Sequence, residues 1–404
     1  MLWSLPMPAV RMLCTRLCTF MASQAMSTAI AWHVYSITKQ PLAIGLAGLA
    51  EFVPMFLLSP FAGRLGDTRD RRAIVLIGAV CSFLTALILF TLTLARLDSV
   101  TAIYAVLVMS GAIRAFVGPA QQALLPSLVS ADELPRAVTI GTLFAQFGML
   151  GGPALGGLLC TEAFGPLFAY VLSLTLSALG AFTMLGVPKQ RAANAALGSV
   201  WETLQQGLHF VYDNKIILGS ISLDLAAVLL GGVVALLPVY ARDILLTSGA
   251  GYGLLRASPA IGAAIMGFAI ARYPIRHHMG HIFFASVFGF GLATLVFALS
   301  KNLVLSIVAL AIAGAADMVS MVVRGLVVQA LTPMAMRGRV SAVNTVFISA
   351  SNQLGEFESG LTAHWLGTRR AAVVGACGTL LCTALFMAMF PALRKVDTVK
   401  LSKL

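Results

Sequence analysis

Long apolar runs dominate the chain, and polar residues gather in short clusters between them. Windows of about 20 apolar residues recur, each long enough to cross a hydrocarbon core of about 30 Å at about 1.5 Å rise per residue. The runs are continuous, whereas barrel strands would alternate over about ten residues, so the pattern predicts membrane-spanning helices. Twelve are predicted, at residues 10 to 35, 42 to 64, 73 to 95, 101 to 126, 137 to 160, 164 to 187, 216 to 241, 250 to 271, 280 to 300, 303 to 331, 340 to 366 and 371 to 391. The stretch from 188 to 215, PKQRAANAALGSVWETLQQGLHFVYDNK, breaks the rhythm with polar residues. It divides the chain into six-helix bundles at 1 to 187 and 216 to 404. Within this linker Trp201, Leu204, Leu208 and Val211 recur at helical spacing, which predicts an amphipathic helix lying on the membrane surface.

Composition sharpens this picture. Hydrophobic residues make up 59% of the 404, against roughly 45–50% in a soluble domain, more than a water-soluble fold can bury. The net charge of +12 raises nucleic acid as a partner, but the distribution of the basic residues argues against it. With the N-terminus placed in the cytoplasm, 17 of the 27 Lys and Arg fall on the cytoplasmic side and six on the other, with Arg16, Arg114, Arg256 and Arg324 inside spans. That asymmetry follows the positive-inside rule and predicts a multi-pass protein of a cytoplasmic membrane with both termini inside. Cys14, Cys18, Cys81, Cys160, Cys377 and Cys382 lie in or beside apolar spans without a C-x-x-C pair, so they read as buried hydrophobes and predict no metal site or disulfide framework. The apolar stretch after Arg11 runs to Tyr35 without a convincing cleavage site and is read as the first span.

Two segments echo one another. RAVTIGTLFAQFGMLGGPALGG from Arg136 and RVSAVNTVFISASNQLGEFESG from Arg339 align without a gap, placing Gly152 on Gly355 and Gly157 on Gly360. The echo is what duplicated transporter halves predict.

Between the second and third spans stands GRLGDTRDRR, six charges in ten residues of a chain only 10% charged. Gly63, Asp67, Arg71 and Arg72 match the G-x-x-x-D-(R/K)-x-G-R-(R/K) loop of the major facilitator superfamily, with Thr68 and Asp70 departing from it. In the fifth span Gly148, Gly152, Pro153, Gly156 and Gly157 resemble the G-x-x-x-G-P-x-x-G-G core associated with exporters of that superfamily, although Thr139 stands where the longer form has glycine. The segments from Leu223 and Thr332 resemble its bacterial branch containing the enterobactin exporter and macrolide-type efflux proteins. The resemblance covers nearly the whole chain. It implies an all-α membrane fold of two pseudo-symmetric six-helix bundles, alternating access, and proton-driven export of a small amphipathic molecule such as a drug, siderophore or metabolite.

The resemblance also implies roles for residues. An acid at Asp67 can meet the N-terminus of a helix in the other half, whose unpaired N–H groups carry about half a positive charge; in the family that helix is the eleventh span, here from near Gly338 to Val340. Such a contact is worth about 0.3–1 kcal/mol, up to roughly 2, enough to bias one conformation without locking it; Gly63, Asp67, Arg71 and Arg72 are thus the expected conformational latch, with Gly63 allowing close helix approach and the arginines neutralising nearby acids and lipid phosphates. The glycines of the fifth span allow close helix packing and predict a gate seal, beside the plainer reading of packing glue.

Ionisable groups within spans are costly and are functional candidates. Glu51, Arg114, Asp224 and Asp317 are the expected proton-coupling or substrate residues, with Arg114 as counter-charge to Asp317 or Glu51, while static ion pairing is the competing reading. Glu356 and Glu358, with Asn352 and Gln353, add polar lining to the eleventh span. His277, His278 and His281 read as solvated loop residues. No G-x-x-x-x-G-K-(S/T), H-E-x-x-H or G-x-S-x-G occurs, so neither ATP as energy source nor an intramembrane enzyme is expected. The expected partners are a small-molecule substrate, protons and membrane lipids, for a monomer needing no cofactor. An importer or a lysophospholipid flippase on the same fold is the alternative.

Overall fold

The computed structural model describes residues 5–130, 132–160, 165–189 and 200–397, and within these it leaves undescribed the side chains of residues 60, 62–68, 135, 200–204, 335, 342, 345 and 349. Except for the seventh, expected to reach residue 241 but α-helical only to Gly231, the expected spans become helices with little change of boundary: α1 Met7–Thr38, α2 Pro41–Thr68, α3 Arg71–Leu94, α4 Val100–Leu124, α5 Leu134–Leu158 and α6 Leu167–Leu185. After the linker come α7 Val200–Asp213, α8 Lys215–Gly231, α9 Gly249–Arg272, α10 Met279–Leu299, α11 Leu303–Leu331, α12 Arg337–Leu366 and α13 Thr368–Met389.

Among the described residues ten helices are long and apolar enough to cross a membrane. Neither α1 nor α12 is one of them, though they run for 32 and 30 residues. Length is not their limit, because about 20 residues suffice. Their polarity is: α1 carries Arg11, Arg16 and His33, and α12 carries Arg339, Asn352, Gln353, Glu356 and Glu358. Polar helices survive in a bundle when protein surrounds them. Accordingly α1 packs against α5 and α6, and α12 against α7, α8 and α13.

The chain forms two compact units. The first comprises Met1–Lys39, Ala47–Leu197 and Thr247–Ala257, the second Gln40–Leu46, Gly198–Leu246 and Ser258–Leu404. A cut at the linker therefore misses two short exchanges: the start of α2 is built into the second unit and the start of α9 into the first.

In the first unit the core gathers Met12, Leu13, Val75, Leu124, Ala137 and Met184 from α1, α3, α4, α5 and α6. The α2–α3 loop is pinned to it by arginines. Arg71 donates to the Ala123 carbonyl at 3.2 Å and Arg72 to Leu185 at 2.9 Å, while Arg11 donates to Gly186 at 2.8 Å. Each guanidinium thus satisfies a carbonyl at or just past the C-terminal end of α4 or α6, where helices leave unpaired acceptors and partial negative charge. Asp70 caps α3, accepting from the Arg72 N–H at 3.0 Å. At the next loop on this end, Glu133 accepts from the Ser130 N–H at 3.1 Å and its hydroxyl at 2.8 Å, which hold its carboxyl below the usual range.

In the second unit α8 unwinds. Its α-helix stops at Gly231, and a 3-10 turn at Val233–Leu236 and a π turn at Tyr240–Ile244 carry the chain onward. The Gly232 carbonyl freed by the break accepts the Ser359 hydroxyl of α12 at 2.8 Å. A broken helix inside a membrane needs such a substitute acceptor or donor.

The linker stripe lies on a helix, α7, whose Val211 end joins the second unit. Val211 is buried against Ile217, Ile221, Val328, Val340 and Val343, and a Cβ on Gly207 would stand 2.6 Å from the Arg339 carbonyl oxygen. One edge of α7 is thus part of the second core. Leu208 and Tyr212 remain exposed, while the side chains of Trp201 and Leu204 lie outside the described residues.

Candidate functional site

The intramembrane charges resolve into two separate groups. In the first unit α4 crosses α2 at Gly111, where a side chain would collide with the Glu51 carbonyl. That close approach brings Arg114, one helical turn further on, to the Glu51 carboxylate at 2.7 Å. The Arg114 side chain keeps 39% of its exposure and Glu51 12%. The counter-charge expected for Arg114 is therefore Glu51 from its own unit.

In the second unit the crossing is repeated by Gly314 of α11 against the Pro259 carbonyl of α9. Three residues later stands Asp317, partly buried. Seven residues beyond it, about two turns along the same helix face, Arg324 forms a buried ion pair with Asp224 of α8. Those two side chains retain only 5% and 8% of their exposure. Asp317 lies within the electrostatic reach of both. Among the described residues these three groups, two carboxyls and one guanidinium, carry one negative charge in excess with both acids ionised. The intramembrane position of Arg324 was visible in the sequence. Its partner was not, because a hundred residues separate it from Asp224.

The glycines of α5 divide between two surfaces. A Cβ at Gly148 would lie 2.8 Å from the Phe20 ring, at Gly152 2.6 Å from Gln24 Cβ, and at Gly156 2.7 Å from the Ala25 carbonyl oxygen, so these three line the contact with α1. Gly157 instead meets Gly253 in the first turns of α9, and a Cβ there would clash with its backbone. Pro153 lies inside the helix between them.

Of the charge knot, Arg71 and Arg72 are occupied with helix ends. The side chains of Gly63 and Asp67 lie outside the described residues. His278 is not simply solvated: its backbone N–H and Nδ1 approach the Asp397 carboxylate at 2.7 and 2.9 Å. Among the described residues no group of three His, Cys, Asp or Glu is placed to hold a metal ion.

One polar group escaped the sequence reading. His33 of α1 is buried, with Nδ1 at 2.9 Å from the Tyr170 hydroxyl of α6 and Nε2 at 3.4 Å from Asp98 in the α3–α4 loop. An isolated histidine in an apolar run carries no local signal of such partners.

Known proteins share both the sequence and the fold. The family profile described as "Transmembrane secretion effector" matches residues 10–403. Enterobactin exporter EntS of Escherichia coli O1:K1 is 25% identical over 375 residues, 92% of this chain and 88% of that protein. EntS of Escherichia fergusonii has the same identity and coverage. Among solved structures, a bacterial homologue of the iron transporter ferroportin in an inward-facing state aligns with a TM-score of 0.71 at 16% identity, covering 94% of this chain and 98% of that one. A POT family transporter in complex with a thioalcohol conjugated peptide aligns at 0.76 with 11% identity, covering 98% and 100%. At such identities these structures speak for the fold alone. With the matched profile spanning all but the extremities, the chain belongs to the transmembrane secretion effector family of major facilitator superfamily transporters.

Proposed function

We propose that this multi-pass membrane transporter is a proton-coupled exporter, exchanging a small amphipathic molecule for protons by alternating access. It lies in a bacterial cytoplasmic membrane with both termini inside. The observation that carries the reading is the unbalanced cluster of the second unit. Glu51 has a guanidinium of its own, so acid and base cancel within that pair. Asp317 and Asp224 share a single guanidinium, and an excess charge in a low-dielectric interior is costly unless a proton neutralises it. Asp224 is hydrogen-bonded to Arg324, leaving Asp317 as the group that takes and gives the proton.

The charge asymmetry of the loops supports the orientation. Export is supported by the α5 glycine pattern and by the name of the EntS relatives, which makes enterobactin the first compound to try. Gly157, pressed against Gly253, is the α5 glycine assigned to gating; Gly148, Gly152 and Gly156 hold α1. Asp67, with Gly63, keeps the latch role implied by the family motif.

The test is uptake of enterobactin and of amphipathic dyes into inverted vesicles under an imposed pH gradient. Wild-type vesicles accumulate the exported compound, and Asp317→Asn vesicles lose the response to the gradient while counterflow exchange persists. Gradient-driven uptake in Asp317→Asn equal to wild type removes Asp317 from the mechanism. Accumulation only in right-side-out vesicles reverses the direction of transport.

A further inference from the structure

We propose that His33, Asp98 and Tyr170 form a proton-binding site that senses the pH outside the cell, distinct from the coupling acid of the second unit. The side of the membrane assigned to it rests on the orientation given above. The chemistry of the site does not.

Three elements converge on the histidine. Its Nδ1 lies 2.9 Å from the Tyr170 hydroxyl and its Nε2 3.4 Å from an Asp98 carboxylate oxygen. The His33 side chain is 5% exposed and Tyr170 is fully buried, while Asp98 keeps 29%. One tautomer satisfies all three: the tyrosine O–H donates to Nδ1, and Nε2–H donates to the carboxylate. In this state the imidazole is neutral, and the partly exposed Asp98 carboxylate links it to the surface. Among the described residues the Cys160 thiol, two residues past the end of α5, also faces Tyr170, and it donates to the Gly156 carbonyl at 3.1 Å.

A proton arriving through Asp98 changes the bonding at both ring nitrogens. The imidazolium donates from both, so the Nε2 contact becomes a charge-assisted pair with Asp98. The Tyr170 hydroxyl must then accept from Nδ1 and turn its own proton away in a buried site. Protonation therefore tightens the α3–α4 loop onto α1 and loosens α6 from it. The neighbouring residue Trp32 stacks on Tyr252 with ring centroids 5.3 Å apart, and the Tyr252 hydroxyl donates to the Thr28 carbonyl at 3.1 Å. Any shift of this turn of α1 thus reaches the first turns of α9, where Gly253 meets Gly157. Histidine is the side chain whose ordinary range spans the pH of a changing external medium.

Trp32 supplies a reporter that needs no substrate. The chain has four tryptophans, and changing Trp3, Trp201 and Trp365 to Phe leaves Trp32 as the only one. In full-length protein reconstituted in sealed vesicles, Trp32 emission is expected to follow a one-proton transition as the pH is lowered. His33→Gln abolishes the transition. Asp98→Asn, which retains the histidine, moves it to lower pH by about one unit, because a carboxylate within reach favours the charged ring. A transition in His33→Gln indistinguishable from the parent, with Asp98→Asn also unshifted, overturns the proposal, as does the absence of any transition in the parent. Setting pH separately on the two sides tests orientation independently. A response to the medium facing the α3–α4 loop, located by thiol labelling of Ser99→Cys, supports the site whichever side that proves to be. If that side is the cytoplasm, the orientation fails and the sensor stands as an internal one.

Discussion

Gly111 in the first unit and Gly314 in the second each stand where one helix crosses another with no room for a side chain, and three residues later the first unit places Arg114 and the second Asp317. The geometry repeats while the charge inverts. On the first side Arg114 meets Glu51, and the base keeps 39% of its exposure. On the second, an ion pair with both side chains under a tenth exposed has a further carboxyl in its field. A half-open pair loses less when one partner is removed. A closed one depends on its own completeness, since removing a single partner strands a charge. The same fold element therefore gives one unit a half-exposed contact between acid and base, and the other a closed pair with a further carboxyl in its field.

The largest effect should come from breaking the closed pair. Arg324→Met leaves Asp224 buried without its partner and should destabilise by about 3–5 kcal/mol, read as a lowered thermal unfolding midpoint in detergent. Arg324→Met combined with Asp224→Leu should recover most of that loss, because two apolar groups of similar volume need no partner. If the double variant is as unstable as the single, the pair is not what holds α8 to α11.

Arg114→Met, made in parallel, should cost about 1 kcal/mol or less. An effect equal to that of Arg324→Met would erase the distinction between the units. Close behind come the crossings. Gly111→Ala and Gly314→Ala each force a methyl group into backbone and should destabilise by about 1–3 kcal/mol, with similar penalties if the two crossings are truly equivalent. Smallest are the controls about two and three helical turns away: Gly118 and Gly325 face open space, so alanine there should be neutral or stabilising by up to about 1 kcal/mol through helix propensity. A clear loss at either would mean that glycine serves something other than room.

The helices were legible because about 20 apolar residues in a row have few other fates in a membrane protein. The runs read as the first and eleventh spans also form helices, of 32 and 30 residues, though their polarity keeps them outside the ten apolar enough to cross a membrane. The charged positions were legible as well, because any ionisable side chain in such a run stands out. Their partners were not. Arg114 was expected to serve Asp317 or Glu51, and the choice fell to Glu51 only because Gly111 lets α4 touch α2. Arg324 had no assigned partner until α8 and α11 were side by side. The linker stripe was seen, yet its helix turns Val211 inward to α8 and α12, which no local periodicity distinguishes from burial in lipid.

What the sequence by itself determined is the set of helices, their order and the costly residues they carry, for these depend on local runs of apolar surface and on the price of charge in hydrocarbon. Only the tertiary structure decided which charges neutralise one another, which glycines admit a neighbouring backbone, and that His33 meets Asp98 and Tyr170. Pairing energies act over a few ångströms between residues scores of positions apart, and that separation leaves no mark in the order of the amino acids.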